Sequence, residues 1–402
     1  MLAFLVECSR AELLMRQGQL ERATAMYQRA LERVTDASGL RLPIAGQALI
    51  GLAELSREKG DLESATHYLT EGIALFEQWT EVGPLEGYVG LARVRWAQGD
   101  PEGAWQAIEK ARKLAADFDL TDLDDLSVAL IQAWLWAAQG DWESVQRWAQ
   151  ARDLYTYIDT PLQEKAGDSY QHRVKKYELL VLARLLIAQR RPAEALQVLV
   201  PLAPIAEWRE RLGLLIECYA LQALAWQAQG KADRAHSALE RALLAGEPEG
   251  YVRVLVDEGE PMLRLLSEFR ARLAERADSL DRDRGPRASA ARLSAYVDRL
   301  LAAYAPAYVP PPLPTTSPAR SAPTETVRRQ SARRWPALPE PLSERVLHVL
   351  RFLATPLTQP EIVNKLYVSV ITIRTHVKNI YPILDVHSRT AAFERAEELR
   401  LL

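Results

Sequence analysis

The chain has 402 residues, 48% hydrophobic and 26% charged, and its 50 Lys and Arg against 53 Asp and Glu leave a formal net charge of −3. That length allows two or three domains with ample core, and the near-neutral balance confines any nucleic-acid role to one local segment. Cys8 and Cys218 lie far apart, which excludes a disulfide scaffold or a cysteine-rich zinc module and fits a reducing cytoplasm; no apolar run approaches the ~20 residues that span a bilayer, and Met1–Glu7 is too short and lacks the basic lead-in of a signal peptide.

From the N-terminus onward one phrase recurs. Arg16–Ala23, Glu58–Ala65, Ala97–Ala104, Ala138–Val145 and Ala228–Ala235 share it, and Ala188–Ala195 is a weaker copy. Taking Gly18, Gly60, Gly99, Gly140, Arg190 and Gly230 as the register, the position seven residues earlier is always alanine: Ala11, Ala53, Ala92, Ala133, Ala183 and Ala223. Five residues later the column reads Ala23, Ala65, Ala104, Val145, Ala195 and Ala235. Two columns on one register predict pairs of helices joined by a left-handed glycine turn, with small side chains where the helices approach closely. Four residues further on, Tyr27, Leu69, Ile108, Leu199 and Leu239 are expected to fill the remaining space, and three beyond that come Ala30, Gly72, Ala111, Leu202 and Ala242, mostly small; the fourth copy fits this half poorly, with Ala149 and Arg152.

This pattern resembles the tetratricopeptide (TPR) repeat. The register steps by about 39 to 50 residues, longer than the ~34 of the standard repeat, so longer helices or loops are expected. About six units over residues 1–245 should stack into a superhelix with a concave face. Most of the array's tryptophans are expected to pack between helices. Trp134 and Trp136, two apart, cannot share one helical face, which leaves one of them free to face the groove and stack against a sugar or other small ligand.

Beyond the array, Glu247–Gly259 leads into an expected helix over Pro261–Ala277, a charged loop at Asp281–Pro286 and a short helix from Leu293 to Tyr304; together residues 246–304 read as a helical extension. Residues 305–341 are rich in Pro, Ser, Thr and Arg, with too little apolar surface to fold, and read as a disordered linker.

Residues 342–402 carry the clearest functional signal. Thr358-Gln-Pro-Glu361 is a capping box opening one short helix. After a tight turn at Tyr367–Ser369, a second helix places Ile373, Val377 and Ile380 inward and projects Arg374, Thr375 and Lys378 from another face. Two short helices around a three-residue turn describe a helix-turn-helix, whose second helix enters the major groove. Arginine there can bond guanine in two places, threonine can meet a thymine methyl, and lysine can reach a base acceptor or a phosphate.

The run Glu361–Tyr381, its continuation Leu384–Thr390 and the closing Arg395–Leu402 resemble a LuxR-type DNA-binding domain across the whole tail. The resemblance makes Arg374, Thr375 and Lys378 base-reading positions and Thr358, Ser369 and Thr372 phosphate contacts at helix N-termini. TPR-like repeats, then Glu249–Glu258, then this tail are similar to the C-terminal part of MalT-like large regulators. That resemblance implies an all-α protein, a repeat solenoid that receives an inducer or a protein partner, homo-oligomerisation, double-stranded DNA as partner and no membrane. It also implies an ATPase domain ahead of the repeats; here there is no G-x-x-x-x-G-K-[ST] phosphate loop, so that part is expected to be missing or supplied by another chain, and no cofactor is expected.

The tail departs from the family pattern at Val346, Pro356, Ile371, Pro382, Asp385 and Ala391, none of which removes Arg374, Thr375 or Lys378. The leading expectation is a cytoplasmic, sequence-specific transcriptional regulator; the alternative is a solenoid adaptor with a degenerate tail, motivated by Pro356, Pro382 and Asp385. Catalysis is not expected: the six histidines lack metal-ligand spacing, and neither a nucleophile elbow nor a dinucleotide fingerprint is present.

Overall fold

A computed structural model describes residues 2–77, 85–117, 122–163, 170–208, 211–279, 284–304 and 395–396. The chain divides into two compact units, Met1–Tyr308 and Val309–Leu402. In the second, the described residues are Arg395 and Ala396, which are helical, with Ala396 buried.

The first unit is built from helices. Six antiparallel pairs follow one another: α1 (Leu2–Arg16) with α2 (Leu20–Arg33), α3 (Ala45–Glu58) with α4 (Leu62–Glu77), α5 (Leu85–Ala97) with α6 (Pro101–Asp117), and α7 (Asp122–Gln139) with α8 (Trp142–Ala151). A short α9 (Thr156–Asp159) precedes α10 (Tyr170–Ala188) with α11 (Pro192–Trp208), and α12 (Leu212–Ala228) pairs with α13 (Ala232–Gly246). Then come α14 (Arg253–Val256), α15 (Glu260–Ser279) and α16 (Arg284–Ala302). No strand occurs among the described residues beyond one isolated bridge, Thr35 to Arg41. The all-α architecture is the one the repeat columns predict.

Each pair turns by the same device. The register residue takes a positive φ in all six copies, from +59° at Arg190 to +84° at Gly60. In the second copy the Gly60 N–H donates to the Arg57 carbonyl and the Asp61 N–H to the Ser56 carbonyl, both at 2.9 Å, which closes a Schellman motif on the last carbonyls of α3. The same two bonds recur at Arg190 and Arg191, where a side chain bears the cost of the left-handed conformation. Where aspartate follows the turn glycine it also starts the next helix: the Oδ1 atoms of Asp61, Asp100 and Asp141 accept from the N–H of Ser64, Gly103 and Ser144 at 2.8–3.1 Å.

Both alanine columns are fully buried, every member being at most 1% exposed. They form the tight seam of each pair, and Tyr27, Leu69, Ile108, Leu199 and Leu239 are buried beside them. In the fourth copy α8 stops at Ala151 after ten residues and Arg152 becomes its C-cap, which is why that copy departs from the pattern and why the next step is the long one. The extension differs in detail from expectation. α15 runs from Glu260 to Ser279, and α16 begins at Arg284, inside the segment read as a loop. Pro286 is tolerated there because it sits in the first helical turn, where a backbone N–H has no intrahelical acceptor to lose.

The first helices of successive pairs pack on one another from α1 through α3, α5, α7 and α10 to α12. This layer comes round on itself. At the α1–α2 turn, a Cβ on Gly18 would lie 2.3 Å from the Leu212 Cβ at the start of α12, and the Glu21 N–H donates to Glu249 Oε2 at 3.3 Å. The first repeat therefore meets the sixth.

Candidate functional site: a strapped cavity on the concave face

A cavity of about 380 Å³ opens on the inner side of this curve, within the range of small-molecule sites. Its lining comes from the first helices of the pairs, from Leu20 at the start of α2, and from the segment Tyr251–Gly259. The register explains the choice of side chains. The residue directly after the first alanine column faces the cavity in the four middle repeats: Glu54, Arg93, Trp134 and Arg184. On α10 the lining residues Val174, Tyr177, Val181 and Arg184 follow the three-four-three spacing of one helical face. Trp134 is half-buried there and meets Trp96 edge-on at 6.3 Å between ring centroids, while Trp136 turns away to Trp105.

Part of the wall is apolar, Leu130, Ile131, Trp134, Tyr177, Val181 and Leu214 among its residues, and ten of the lining residues are charged. Five arginines (Arg16, Arg93, Arg184, Arg211, Arg253) face five carboxylates (Glu54, Glu58, Glu217, Asp257, Glu258), so the lining is formally neutral. Arg57, 1% exposed and just outside the lining, organises one side. Its Nε and Nη2 donate to the two carboxylate oxygens of Glu54 at 3.1 Å, its Nη2 also meets Glu58, and its Nη1 reaches Asp257 Oδ2 at 3.2 Å. Arg93 adds a bond to Glu54 at 2.5 Å. On the opposite side Arg184 donates to Glu258 Oε2 at 3.1 Å and to Glu217 Oε1 at 2.6 Å.

These groups perturb one another. Burial pushes the Glu54 carboxyl up, but Arg57 and Arg93 outweigh it and hold it at about 2. Burial also works against the Arg57 and Arg184 charges, and in each case the carboxylates around them outweigh it and raise the guanidinium further. Glu58 and Glu258 are held above the ordinary carboxyl range by burial, which Arg57 and Arg184 counter incompletely. Such pairs say little about net stability when intact, yet breaking one by removing a single partner costs about 3–5 kcal/mol, because the other charge is left buried. Among the described residues, three wall residues keep a buried polar atom with no hydrogen-bond partner: Glu58 Oε2, an acceptor, Arg253 Nε, a donor, and Asp257 Oδ1, which sits in an ion pair with Arg253 Nη2.

The Tyr251–Gly259 segment lies across the groove as a strap. The Val252 N–H donates to the Glu58 carbonyl at the end of α3, 2.7 Å away, and Gly60 leaves room for the Val252 side chain at 3.2 Å from where a Cβ would stand. The segment stands out in the sequence between the repeats and the tail, but its partners on α3 and α10 do not. The signal available in the sequence is the charge of Arg253, Asp257 and Glu258 set among the apolar Val252, Val254, Leu255 and Val256.

Arg374, Thr375, Lys378, Thr372, Ser369 and Thr358 lie outside the described residues, as do Pro356, Pro382 and Asp385. Among the described residues no group of three or more His, Cys, Asp or Glu is arranged to hold a metal ion, and no helix is long and apolar enough to cross a membrane.

Six helix-turn-helix pairs stacked by their first helices define a helical-repeat protein of the tetratricopeptide type. Residues 2–272 match the family described as the MalT-like TPR region, and residues 340–396 match the family of bacterial regulatory proteins, luxR family. The chain belongs to the MalT-like family and carries a LuxR-type region behind its repeats. Relatives named HTH-type transcriptional regulator MalT are 24% identical over 409 residues in Serratia proteamaculans, 23% over 403 in Klebsiella pneumoniae and 25% over 405 in Yersinia pestis. Each alignment covers 97% of this chain, and the chain spans about 40% of the length of these relatives.

Proposed function

We propose that the chain is a sequence-specific DNA-binding transcriptional regulator whose repeat superhelix senses a ligand. The observation that carries this reading is the pairing, in one chain, of a MalT-like repeat region over residues 2–272 with a LuxR-family region over 340–396. In this reading residues 1–245 are the sensor and oligomerisation domain, 246–304 its helical extension, 305–341 a linker and 342–402 the DNA-binding domain. Arg374, Thr375 and Lys378 read bases, and Thr358, Ser369 and Thr372 hold phosphates at helix N-termini. The protein acts in the cytoplasm as a homo-oligomer on double-stranded DNA.

The cavity supports the sensing half. It joins an apolar wall bearing Trp134 to a polar wall of zero formal charge, with a spare acceptor at Glu58 and a spare donor at Arg253. That chemistry suits an uncharged or zwitterionic molecule with one apolar face.

In-vitro selection of random duplexes on the purified chain tests the DNA half. An enriched motif is expected, lost in Arg374→Ala. No enrichment from a chain with a folded tail would sink it and favour the adaptor reading, in which protein partners survive deletion of residues 342–402. Screening metabolites by Trp fluorescence, with Trp134→Phe as control, tests the sensing half; a library with no hit sensitive to Trp134 would argue against it.

A further inference from the structure

The strap touches more than the cavity. Its carbonyl at Tyr251 accepts from the Tyr296 hydroxyl of α16, a buried bond. Gly250 lies against Arg299 of α16: a Cβ there would be 3.1 Å from Arg299 Nη2. Arg299 in turn stacks over the Tyr296 ring at 5.2 Å. On its other side the strap is gripped from two repeats that are far apart in sequence. Asp257 is held by Arg57 of the second repeat and Glu258 by Arg184 of the fifth, and these neighbouring carboxylates are 8% and 5% exposed. Positive-φ glycines stand at both ends, Gly250 at +72° and Gly259 at +71°, and nothing among the described residues lies within 4 Å of a Cβ position on Gly259.

From this arrangement we propose that Tyr251–Gly259 is a latch: it seats as one element on the Arg57 and Arg184 pairs, and its seating is coupled to the docking of α16 through Tyr251 and Tyr296. The latch supplies Tyr251, Arg253, Val254, Asp257 and Glu258 to the cavity wall, so anything bound in the cavity touches an element that also holds α16. A ligand that prefers the seated latch stabilises α16 on the repeats, and by linkage a docked α16 raises affinity for that ligand. Because α16 is the last described helix before residues 305–402, this is a route by which occupancy of the cavity reaches the chain that follows. The regulatory meaning rests on the ligand-sensing reading above; the latch itself does not, and its test uses no ligand.

The test is hydrogen exchange of the full chain, read by peptide mass, on Asp257→Asn, Glu258→Gln, Tyr296→Phe and the Asp257→Asn/Tyr296→Phe double variant. Peptides across residues 247–260, which contain the Val252 amide bonded to Glu58, should exchange at least tenfold faster in each single variant, while peptides from α4 keep the parent rate. Asp257→Asn should also speed exchange in α16, and the double variant should fall short of the product of the two single effects, since both release the same element. Tyr296→Phe removes one hydroxyl and no charge, so it reports even if the carboxylate variants fold poorly. Unchanged exchange at 247–260 in Tyr296→Phe, strictly multiplicative effects, or an equal rise in every peptide would overturn the proposal. Failure of the metabolite screen with latch behaviour intact would instead remove the sensing role and leave the latch standing.

Discussion

Three turn glycines share one backbone conformation and differ in what lies beyond them, which makes them a ruler for tertiary closure. Gly18, Gly60 and Gly230 have φ of +80°, +84° and +70°. Replacing any of them with alanine places a side chain in the left-handed region, at about 1–2 kcal/mol. At Gly230 nothing among the described residues lies within 4 Å of the new Cβ, so that cost should be the whole effect. At Gly60 the nearest atom is Val252 Cγ1 at 3.2 Å, so the strap must give by a few tenths of an ångström, a small addition. At Gly18 the Cβ would lie 2.3 Å from the Leu212 Cβ, and a backbone-attached atom cannot swing aside. The start of α12 must move away from the first repeat, an overpacking cost of about 1–3 kcal/mol. Gly18→Ala should therefore destabilise by roughly 2–5 kcal/mol in total, Gly60→Ala by less and Gly230→Ala least. Urea unfolding followed by circular dichroism gives the order. Equal losses at all three positions would refute the closure of the first repeat on the sixth.

Glu54→Gln should cost about 3 kcal/mol at pH 7, because a carboxyl held at about 2 against an ordinary 4.5 is worth ~1.4 kcal/mol per unit. A depressed carboxyl stabilises above its unfolded value and loses that contribution as pH falls toward its folded one, so parent and variant should converge between pH 4.5 and about 2 in urea titrations. Glu58 and Glu258 act in the opposite sense: held upward by burial, they suit the fold when protonated and lose that contribution as pH rises, and because the Glu54 charge helps to raise Glu58, Glu54→Gln also eases Glu58 downward. Asp141→Ala removes the cap on Ser144 and should cost about 1 kcal/mol, visible as faster amide exchange confined to the first turn of α8. Both thiols are buried, and burial, aided by Glu7, pushes Cys8 up to about 12. A thiol reagent at pH 8 should modify neither cysteine in the folded chain and both in denaturant.

The repeat framework is legible in the residues because close helix packing demands one chemistry: only small side chains fit the seam, so alanine recurs at Ala11, Ala53, Ala92, Ala133, Ala183 and Ala223, and a left-handed residue must follow seven positions later. The concave column one residue further along is equally regular in position and irregular in chemistry. Glu54, Arg93, Trp134 and Arg184 are selected by what they face, so no composition repeats and the column stays hidden until the register is laid over the fold. The strap is less legible still. Asp257 meets Arg57 across 200 residues and Glu258 meets Arg184 across 74, and no local pattern encodes partners at that distance. Pro286 reads as a helix breaker when taken alone and as a helix start once Arg284 is seen to open α16. The base-reading assignment at Arg374, Thr375 and Lys378 rests on motif and family alone.

Specific DNA binding is measured by fluorescence anisotropy of the full chain against the selected duplex and a scrambled one, across a salt series. Affinity should fall log-linearly with salt, with the selected duplex preferred on the order of 10³-fold or more. In Arg374→Ala that preference should collapse toward unity while binding to the scrambled duplex persists. A preference for the selected duplex that survives Arg374→Ala, Thr375→Ala and Lys378→Ala unchanged would contradict the base-reading assignment.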